Sequence, residues 1–417
     1  MHPPSIFRVL GIICLIIAGW MLIPLAFSFG RGETISQQAF IVSFAISLFI
    51  GVTTLLATNR VRITLGKRDF AILIPLIVTI ATILSALPLY LGGGFQTIFY
   101  ASFEALSGLT TTGMSLLPKP EILSQTELLW RAMLQWMGGY GTLLLVIWAL
   151  PYLGFGGAFK ASRDDPEKQN LFPQLSFKKT LIKLLTVYFF ISLLCTLALF
   201  VSGLPLFESV CYTMSTVSTG GFVVQSEGPL GSNKWAVEIV LMLFMILGAM
   251  NFMLHGKALS GSLRNYMKDQ ESQNFLILIL LSACIAVVAA NDSGEGMFNF
   301  YNAMMQIISI ITTTGYPSPE PDTFMPDFYF LLLLVLATLG GTGSSTSGGF
   351  KISRLTFLLQ QSKQELYRLI QPHSVTPITY GGQSISTESI KVLSVFSISF
   401  IGLISLLTAF LSLSNME

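Results

Sequence analysis

Three short stretches of hydroxyl residues and glycine recur in this chain of 417 residues, at residues 107–113 (SGLTTTG), 215–221 (STVSTGG) and 309–315 (SIITTTG). Each has Ser six positions before its last glycine, a hydroxyl residue three before and Thr two before. These residues supply no strong acid, base or thiol. They offer hydroxyl oxygens and, through glycine, backbone dihedrals that other residues avoid. Several such loops around one axis could replace the hydration shell of a cation with carbonyl oxygens.

The composition is that of an integral membrane protein. Hydrophobic residues make up 52% of the chain and charged residues 11%, whereas soluble domains carry about a quarter charged residues. The four cysteines and three histidines show no disulfide or metal-binding spacing. Nine apolar stretches have the length of a membrane-crossing helix, at residues 6–28, 37–58, 70–91, 128–152, 180–202, 235–256, 273–291, 325–350 and 390–413.

Lysine and arginine orient these spans. If the nine spans cross the membrane one after another, 19 of the 23 basic residues fall on the same side of it. The positive-inside rule makes that side cytoplasmic. The N-terminus is then cytoplasmic, and the three hydroxyl-glycine stretches lie toward the outside. Each lies at the end of an apolar segment too short to cross the membrane, at 95–114, 204–223 and 297–316.

The resulting unit is predicted as a helix, a short half-buried helix, a hydroxyl-glycine loop and a second helix. Non-helical backbone at membrane depth is tolerated where it is buried in protein or lines a water-filled cavity. The short helix directs its partly negative C-terminus at the loop. Ser, Thr and Gly are also common at helix contacts in membranes, but three loops in register favour an ion pathway.

The glycine-rich stretch at residues 340–349 (GGTGSSTSGG) interrupts the eighth span. Each glycine costs about 1 kcal/mol relative to alanine inside a helix, so we expect this stretch to be unwound. It does not match a phosphate-binding P-loop, because Ile352 follows Lys351. A packing face of small residues is the alternative. Lys351 and Arg354 could be cytoplasmic anchors or ordinary positive-inside residues, and the second interpretation is preferred.

Three ionisable residues near the apolar segments need a role. Glu104 and Glu208 could concentrate cations at the outer mouth, or they could pair with Arg131 or Lys234. The pairing role is preferred. His255 is interpreted as a packed or capping residue and not as a pH sensor.

In combination, the motifs resemble those of the TrkH/TrkG branch of the Trk/Ktr/HKT superfamily of potassium transport proteins. The resemblance rests on FEALSGLTTTG, STVSTGGF, SIITTTGY, NFMLHGKALSG and GGTGSSTSGGFK. It implies an all-α polytopic membrane protein with pore repeats around a pseudo-fourfold ion pathway. The implied units are an N-terminal helix pair (1–62), three pore repeats (63–160, 161–270 and 271–386) and the first helix of an incomplete fourth repeat (387–417).

The resemblance also implies the site residues. The selectivity filter that binds potassium would comprise Thr110, Thr111, Thr112, Gly113, Ser218, Thr219, Gly220, Gly221, Thr312, Thr313, Thr314 and Gly315. The gate loop would include Gly340, Gly341, Gly343, Ser345, Gly348 and Gly349. In some relatives the first-repeat glycine is serine, a variant associated with sodium permeation. Gly113 therefore looks like the potassium-favouring form.

The implied function is potassium uptake across the bacterial cytoplasmic (inner) membrane, as the channel-like subunit of a Trk-type system. The expected partners are the lipid bilayer, a second copy in a homodimer and cytoplasmic nucleotide-binding TrkA-like subunits. We expect no nucleic-acid partner, no enzymatic activity and no cofactor in this chain, with potassium as the substrate. The alternative is a cation-coupled secondary transporter, which also uses broken helices.

One departure from the family pattern concerns the fourth repeat. Residues 390–413 match only its first helix, so the chain is expected to be a fragment or an unusual member. We expect the natural product to continue beyond Glu417 with a short helix, a loop and one more span.

Overall fold

The computed structural model describes residues 3–63, 65–146, 174–226, 228, 235–259, 261–262, 264–291, 296–316, 327–371, 379–380, 383–384 and 387–413. These residues are almost entirely helical, as the sequence predicts. Their strand content is one short hairpin of two residues in each strand, β1 (Thr379–Tyr380) and β2 (Gln383–Ser384).

The chain begins with a hairpin of two long helices, α1 (Pro3–Arg31) and α2 (Thr34–Ala57). The helices approach closely at Gly51, where an added Cβ would lie 2.8 Å from Cγ of Leu15. The hairpin exposes many large apolar side chains on the side that faces away from the other helices. Such a surface is expected where a protein is in contact with lipid.

Three sets of helices follow in the same order, each with a long helix, a short helix and another helix. They are α3 (Lys67–Leu91), α4 (Ile98–Leu109) and α5 (Gln125–Leu144); α6 (Gln174–Val201), α7 (Leu206–Val217) and α8 (Trp235–Ala249), followed by α9 (Phe252–Ala258) and α10 (Arg264–Lys268); and α11 (Gln270–Asn291), α12 (Gly296–Ile311) and α13 (Asp327–Leu339). A 3₁₀ turn lies at Pro120–Ile122, and the chain ends with α14 (Ile352–Ile370) and α15 (Thr387–Leu413).

Among the described residues, five helices are long and apolar enough to cross a membrane, or six if one bent pair is a single span. The five are α1, α2, α3, α6 and α15, and the bent pair is α8 and α9. Helices α5, α11 and α13 occupy the remaining predicted positions. Each of the nine predicted spans overlaps a helix, but the eighth is helical only as far as Leu339, and residues 147–152 of the fourth lie outside the described part of the chain.

The prediction of one uninterrupted helix at residues 235–256 is wrong. Helices α8 and α9 meet at 105° across a break of two residues. Asn251 caps the N-terminus of α9, and its side chain accepts a hydrogen bond from the backbone N–H of Met253 at 2.9 Å. An apolar run carries no signal of this break, because its stabilising partners lie about 90 residues further along the chain.

Two hydrophobic clusters form the core and meet near α5. One contains buried residues of α1, α3, α4 and α5, and the other contains residues of α6, α8, α11 and α12. Two hydrogen bonds join α5 to α6 in this core: Trp136 Nε1 donates to Ser192 Oγ at 2.9 Å, and Tyr188 OH donates to the Trp136 carbonyl at 3.1 Å. These bonds therefore fix α5, the last helix of the first set, against α6 of the second set.

Candidate ion pathway

The short helices α4, α7 and α12 end in the same hydrogen-bonding motif. The carbonyl oxygens of Ser107, Ser215 and Ser309 accept from the N–H five residues later, at 2.9, 2.8 and 2.9 Å respectively. The carbonyl of the following residue accepts from the N–H three residues later, at 3.0, 3.0 and 2.9 Å. This pair of bonds is the Schellman motif, which ends a helix with one left-handed residue.

The left-handed residue is a threonine in each motif. Thr111, Thr219 and Thr313 have φ values of 53°, 54° and 58°. Glycine usually occupies this position, and a residue with a Cβ costs about 1–2 kcal/mol there. Because the same strained backbone is found three times, we attribute it to the role of the loops and not to chance packing.

A left-handed glycine lies two residues after each of these threonines. Gly113, Gly221 and Gly315 have φ values of 78°, 81° and 76°. We call the three segments loop 1 (residues 110–113), loop 2 (218–221) and loop 3 (312–315). Their N–H groups turn back onto the short helices, whereas no hydrogen bond from the described residues reaches the carbonyl oxygens of loops 1 and 3. These oxygens are thus available to a cation.

The loops lie side by side in chain order. A Cβ added to Gly113 would overlap the carbonyl oxygen of Gly220, and one added to Gly221 would overlap that of Thr314. Each glycine therefore allows its loop to contact the next one. The structure brings the twelve predicted filter residues together as three adjacent segments.

Loop 2 differs from the other two in its side chains. The hydroxyls of Thr110 and Thr112 in loop 1 are 2.8 Å apart, as are those of Thr312 and Thr314 in loop 3. The residue equivalent to Thr112 in loop 2 is Gly220. An added Cβ there would lie 2.7 Å from Nε2 of Gln135 on α5, so Gln135 occupies the space that threonine fills in the other loops.

The predicted unwound stretch is present. Helix α13 ends at Leu339 and α14 begins at Ile352. Residues 340–349 between them are called the gate segment. This segment contacts loop 3 directly, because the Gly348 N–H donates to Thr313 Oγ1 at 2.7 Å. Its predicted residues therefore lie next to the predicted filter.

The gate segment also fills the break between α8 and α9. The Thr342 N–H donates to the Ala249 carbonyl at 3.0 Å, and Thr346 Oγ1 donates to the Gly248 carbonyl at 2.9 Å. In return, the Phe252 N–H donates to the Ser344 carbonyl at 3.0 Å. The two broken helices therefore satisfy each other's backbone groups, which would otherwise be unpaired at membrane depth.

The interpretation of Lys351 as an ordinary positive-inside residue is incomplete. Its side chain turns back to the gate segment, where Nζ donates to the Ser347 carbonyl, to Ser347 Oγ at 3.2 Å and to Ser345 Oγ at 3.4 Å. Glu271 of α11 accepts from the Gly343 N–H and from the Ser353 N–H on the other side of the segment. A cation and an anion thus hold the unwound backbone, and neither had a partner assigned from the sequence.

The predicted pairing of Glu104 is confirmed. Its Oε1 lies 2.6 Å from Nη2 of Arg131, and the two side chains are 0% and 2% exposed. Glu208 accepts from Gln225 Nε2 at 3.1 Å, whereas Lys234 lies outside the described residues. The packed role of His255 is also confirmed, because its Nε2 lies 2.9 Å from the Leu247 carbonyl oxygen in a buried site.

Helices of membrane-spanning length, three short helices that end in the same loop geometry, and loop carbonyls that in loops 1 and 3 accept no hydrogen bond from the described residues define a multi-pass membrane protein built to pass ions. The family model of TrkH, described as a cation transport protein, matches residues 36–417. The chain belongs to the TrkH family.

Individual proteins are similar to this chain over most of their length. The Trk system potassium uptake protein TrkH of Salmonella typhimurium is 31% identical, with coverage of 92% of this chain and 80% of the relative. TrkG of Escherichia coli, another Trk system potassium uptake protein, is 30% identical over 88% of this chain and 76% of its own length. The crystal structure of the potassium transporter TrkH from Vibrio parahaemolyticus matches with a TM-score of 0.90 and 25% identity, covering 100% of this chain and 87% of that one.

Proposed function

We propose that this protein is the ion-conducting subunit of a Trk-type potassium uptake system. The observation that carries the proposal is the threefold recurrence of one backbone geometry, with threonine and glycine both left-handed and the loops in contact. Potassium is the transported substrate, as in the names of the similar proteins.

In this proposal, the filter residues of loops 1, 2 and 3 determine the preference for potassium over sodium. An ion that loses its hydration shell needs oxygen ligands in its place, and backbone carbonyls supply them. Helices α4, α7 and α12 direct their partly negative C-termini at the same loops. Pore repeats at residues 63–160, 161–270 and 271–386 would then contribute one loop each.

The gate segment would control the passage of potassium ions. It contacts loop 3 through Thr313 and the end of α7 through the Val217 carbonyl, which accepts from Thr346 Oγ1 at 3.0 Å. Glycine at the left-handed positions 340 and 349 lets the segment change conformation at little cost. A shift of this segment would open or close the path below the loops.

Placement and partners follow the same proposal. The N-terminus is cytoplasmic and the protein lies in the bacterial inner membrane, with most basic residues on the inner side. Helix α14 carries charged residues and exposed apolar ones, including Leu366 and Leu369. This surface suits the docking of TrkA-like regulatory subunits, and a second copy of the chain would complete a homodimer.

A cation-coupled secondary transporter is the second candidate. The observation that favours it is the pairing of two broken helices, α8–α9 with α13–α14, because broken helices form ion sites in such proteins. Unitary current steps in a reconstituted bilayer are expected for a channel. Flux that saturates without such steps, and that stops when a second ion is withdrawn, would support the carrier.

The decisive test is uptake in bacterial cells that lack their own potassium uptake systems. Expression of the protein should restore growth at low external potassium and rubidium influx, with sodium influx much lower. The matched control is the Gly93→Ala variant, which is strained but lies outside the loops. Folded protein in the membrane without rubidium influx, in both the parent and the control, would refute the proposal.

A further inference from the structure

A polar network centred on the buried residues Glu104, Arg131 and Gln135 lies beside loops 1 and 2, outside the filter residues themselves. Glu104 of α4 accepts from Arg131 Nε at 2.8 Å, and Ser115, two residues after loop 1, donates to both of its carboxylate oxygens at 3.0 and 3.1 Å. Arg131 Nη2 lies 3.4 Å from Ser115 Oγ. The ion pair therefore holds the chain where it leaves loop 1.

The same arginine also holds the chain where it leaves loop 2. Arg131 Nη1 donates to the Val223 carbonyl at 3.3 Å, and its guanidinium carbon lies 4.2 Å from the centre of the Phe222 ring. Gln135 lies one turn later on the same face of α5, and its Oε1 accepts from the Phe222 N–H at 3.2 Å. One face of α5 thus contacts the outer ends of two neighbouring loops.

The junction between loops 2 and 3 is held differently. There Tyr316 OH pairs with Thr216 Oγ1 at 2.7 Å and donates to the Tyr212 carbonyl at 3.3 Å. These groups are neutral, whereas an ion pair holds the junction of loops 1 and 2. Among the described residues, the two junctions therefore differ in the charge of the groups that hold them.

Stability alone is a poor explanation of the ion pair. A buried ion pair gains little over well-packed apolar side chains, because removing both charges from water offsets their attraction. Its geometric effect is specific, since the planar guanidinium donates in fixed directions. Here those directions lead to a carboxylate on α4, to Ser115 and to Val223.

We infer that Glu104, Arg131 and Gln135 form a clamp that sets the separation of loops 1 and 2, and through it the preference for potassium over sodium. The inference rests on the proposed function. The three are positioning residues: Arg131 and Gln135 contact backbone groups that follow loop 2, and Glu104 holds Arg131 and Ser115. With the clamp loosened, the relative position of loops 1 and 2 is no longer fixed, and their carbonyl oxygens can rearrange around the smaller ion.

The test removes both charges together, as Glu104→Gln with Arg131→Met, so that no unpaired charge stays buried. We expect potassium influx to persist and the ratio of potassium to sodium influx to fall about tenfold, equivalent to about 1.4 kcal/mol. The control is Arg31→Met, which removes an exposed cation 5.5 Å from the centre of the Phe27 ring in the N-terminal hairpin and should leave the ratio unchanged.

Arg131→Lys is the second variant, needed if the double variant does not fold. Lysine keeps the charge but cannot reach Glu104, Ser115 and Val223 together, so the ratio should fall about threefold, which is close to 0.65 kcal/mol. A ratio within about twofold of the parent in every folded clamp variant, with the parent selective, would overturn the clamp. Absence of potassium influx in the parent and in Arg31→Met would instead refute the proposed function.

Discussion

Gly113 offers the sharpest test of the filter geometry, through the substitution Gly113→Ala. Its φ of 78° is left-handed, and an added side chain costs about 1–2 kcal/mol in that conformation. The new Cβ would also overlap the carbonyl oxygen of Gly220, whose carbonyl carbon would be 3.1 Å away and Cα of Gly221 3.5 Å away. The filter backbone of loop 2 must therefore move.

Gly93→Ala separates these two effects. Gly93 has a φ of 84° in the turn before α4, and an added Cβ there meets nothing within 4 Å. Both variants should lose about 1–2 kcal/mol of stability from backbone strain. Only Gly113→Ala should disturb selectivity, since only there does a carbonyl of the pathway have to shift.

The assay is the ratio of potassium to sodium influx in cells that lack their own potassium uptake. We expect Gly113→Ala to lower this ratio at least tenfold, a difference of about 1.4 kcal/mol between the two ions. Gly93→Ala should stay near the parent. If Gly113→Ala folds and keeps the parent ratio, or if Gly93→Ala lowers it equally, the assignment of loops 1 and 2 to the filter is wrong.

The remaining predictions concern the gate segment. Lys351→Met removes the Nζ donors to Ser345 and Ser347, so influx without regulatory subunits should rise, and unchanged influx would show that Lys351 does not hold the segment closed. Deletion of several residues within 340–349 should raise the same influx, and a fall in a folded variant would favour a packing role. Thr346→Val leaves the Val217 carbonyl unpaired, so it should lower the free energy of unfolding by about 1–3 kcal/mol, measured by thermal unfolding in detergent. An unchanged midpoint would mean that water or a rearranged backbone replaces the bonds.

Apolar periodicity and glycine content predicted most of the fold. Helix positions follow from runs of apolar residues, and the end of α13 at Leu339 follows from five glycines in the ten residues after it. The three loops were recognised because the spacing of Ser, Thr and Gly repeats. Local signals of this kind need no tertiary structure.

Long-range contacts could not be predicted in the same way. The 105° break before α9 depends on bonds with the gate segment, and Gly220 differs from the equivalent Thr112 because Gln135 of α5 occupies the space. The pairing of Arg131 with Glu104 was one of two alternatives open from the sequence. Its further contacts with loop 2 depend on how α5 packs, which a single sequence does not reveal.

Rubidium in a crystal of this protein would test the central claim most directly. Rubidium resembles potassium in size and charge, and its anomalous signal locates it without ambiguity. The account predicts an anomalous peak between loops 1, 2 and 3, in contact with carbonyl oxygens that include those of Thr111, Thr219 and Thr313. Well-ordered loops with no peak between them, or rubidium bound only elsewhere in the protein, would contradict it.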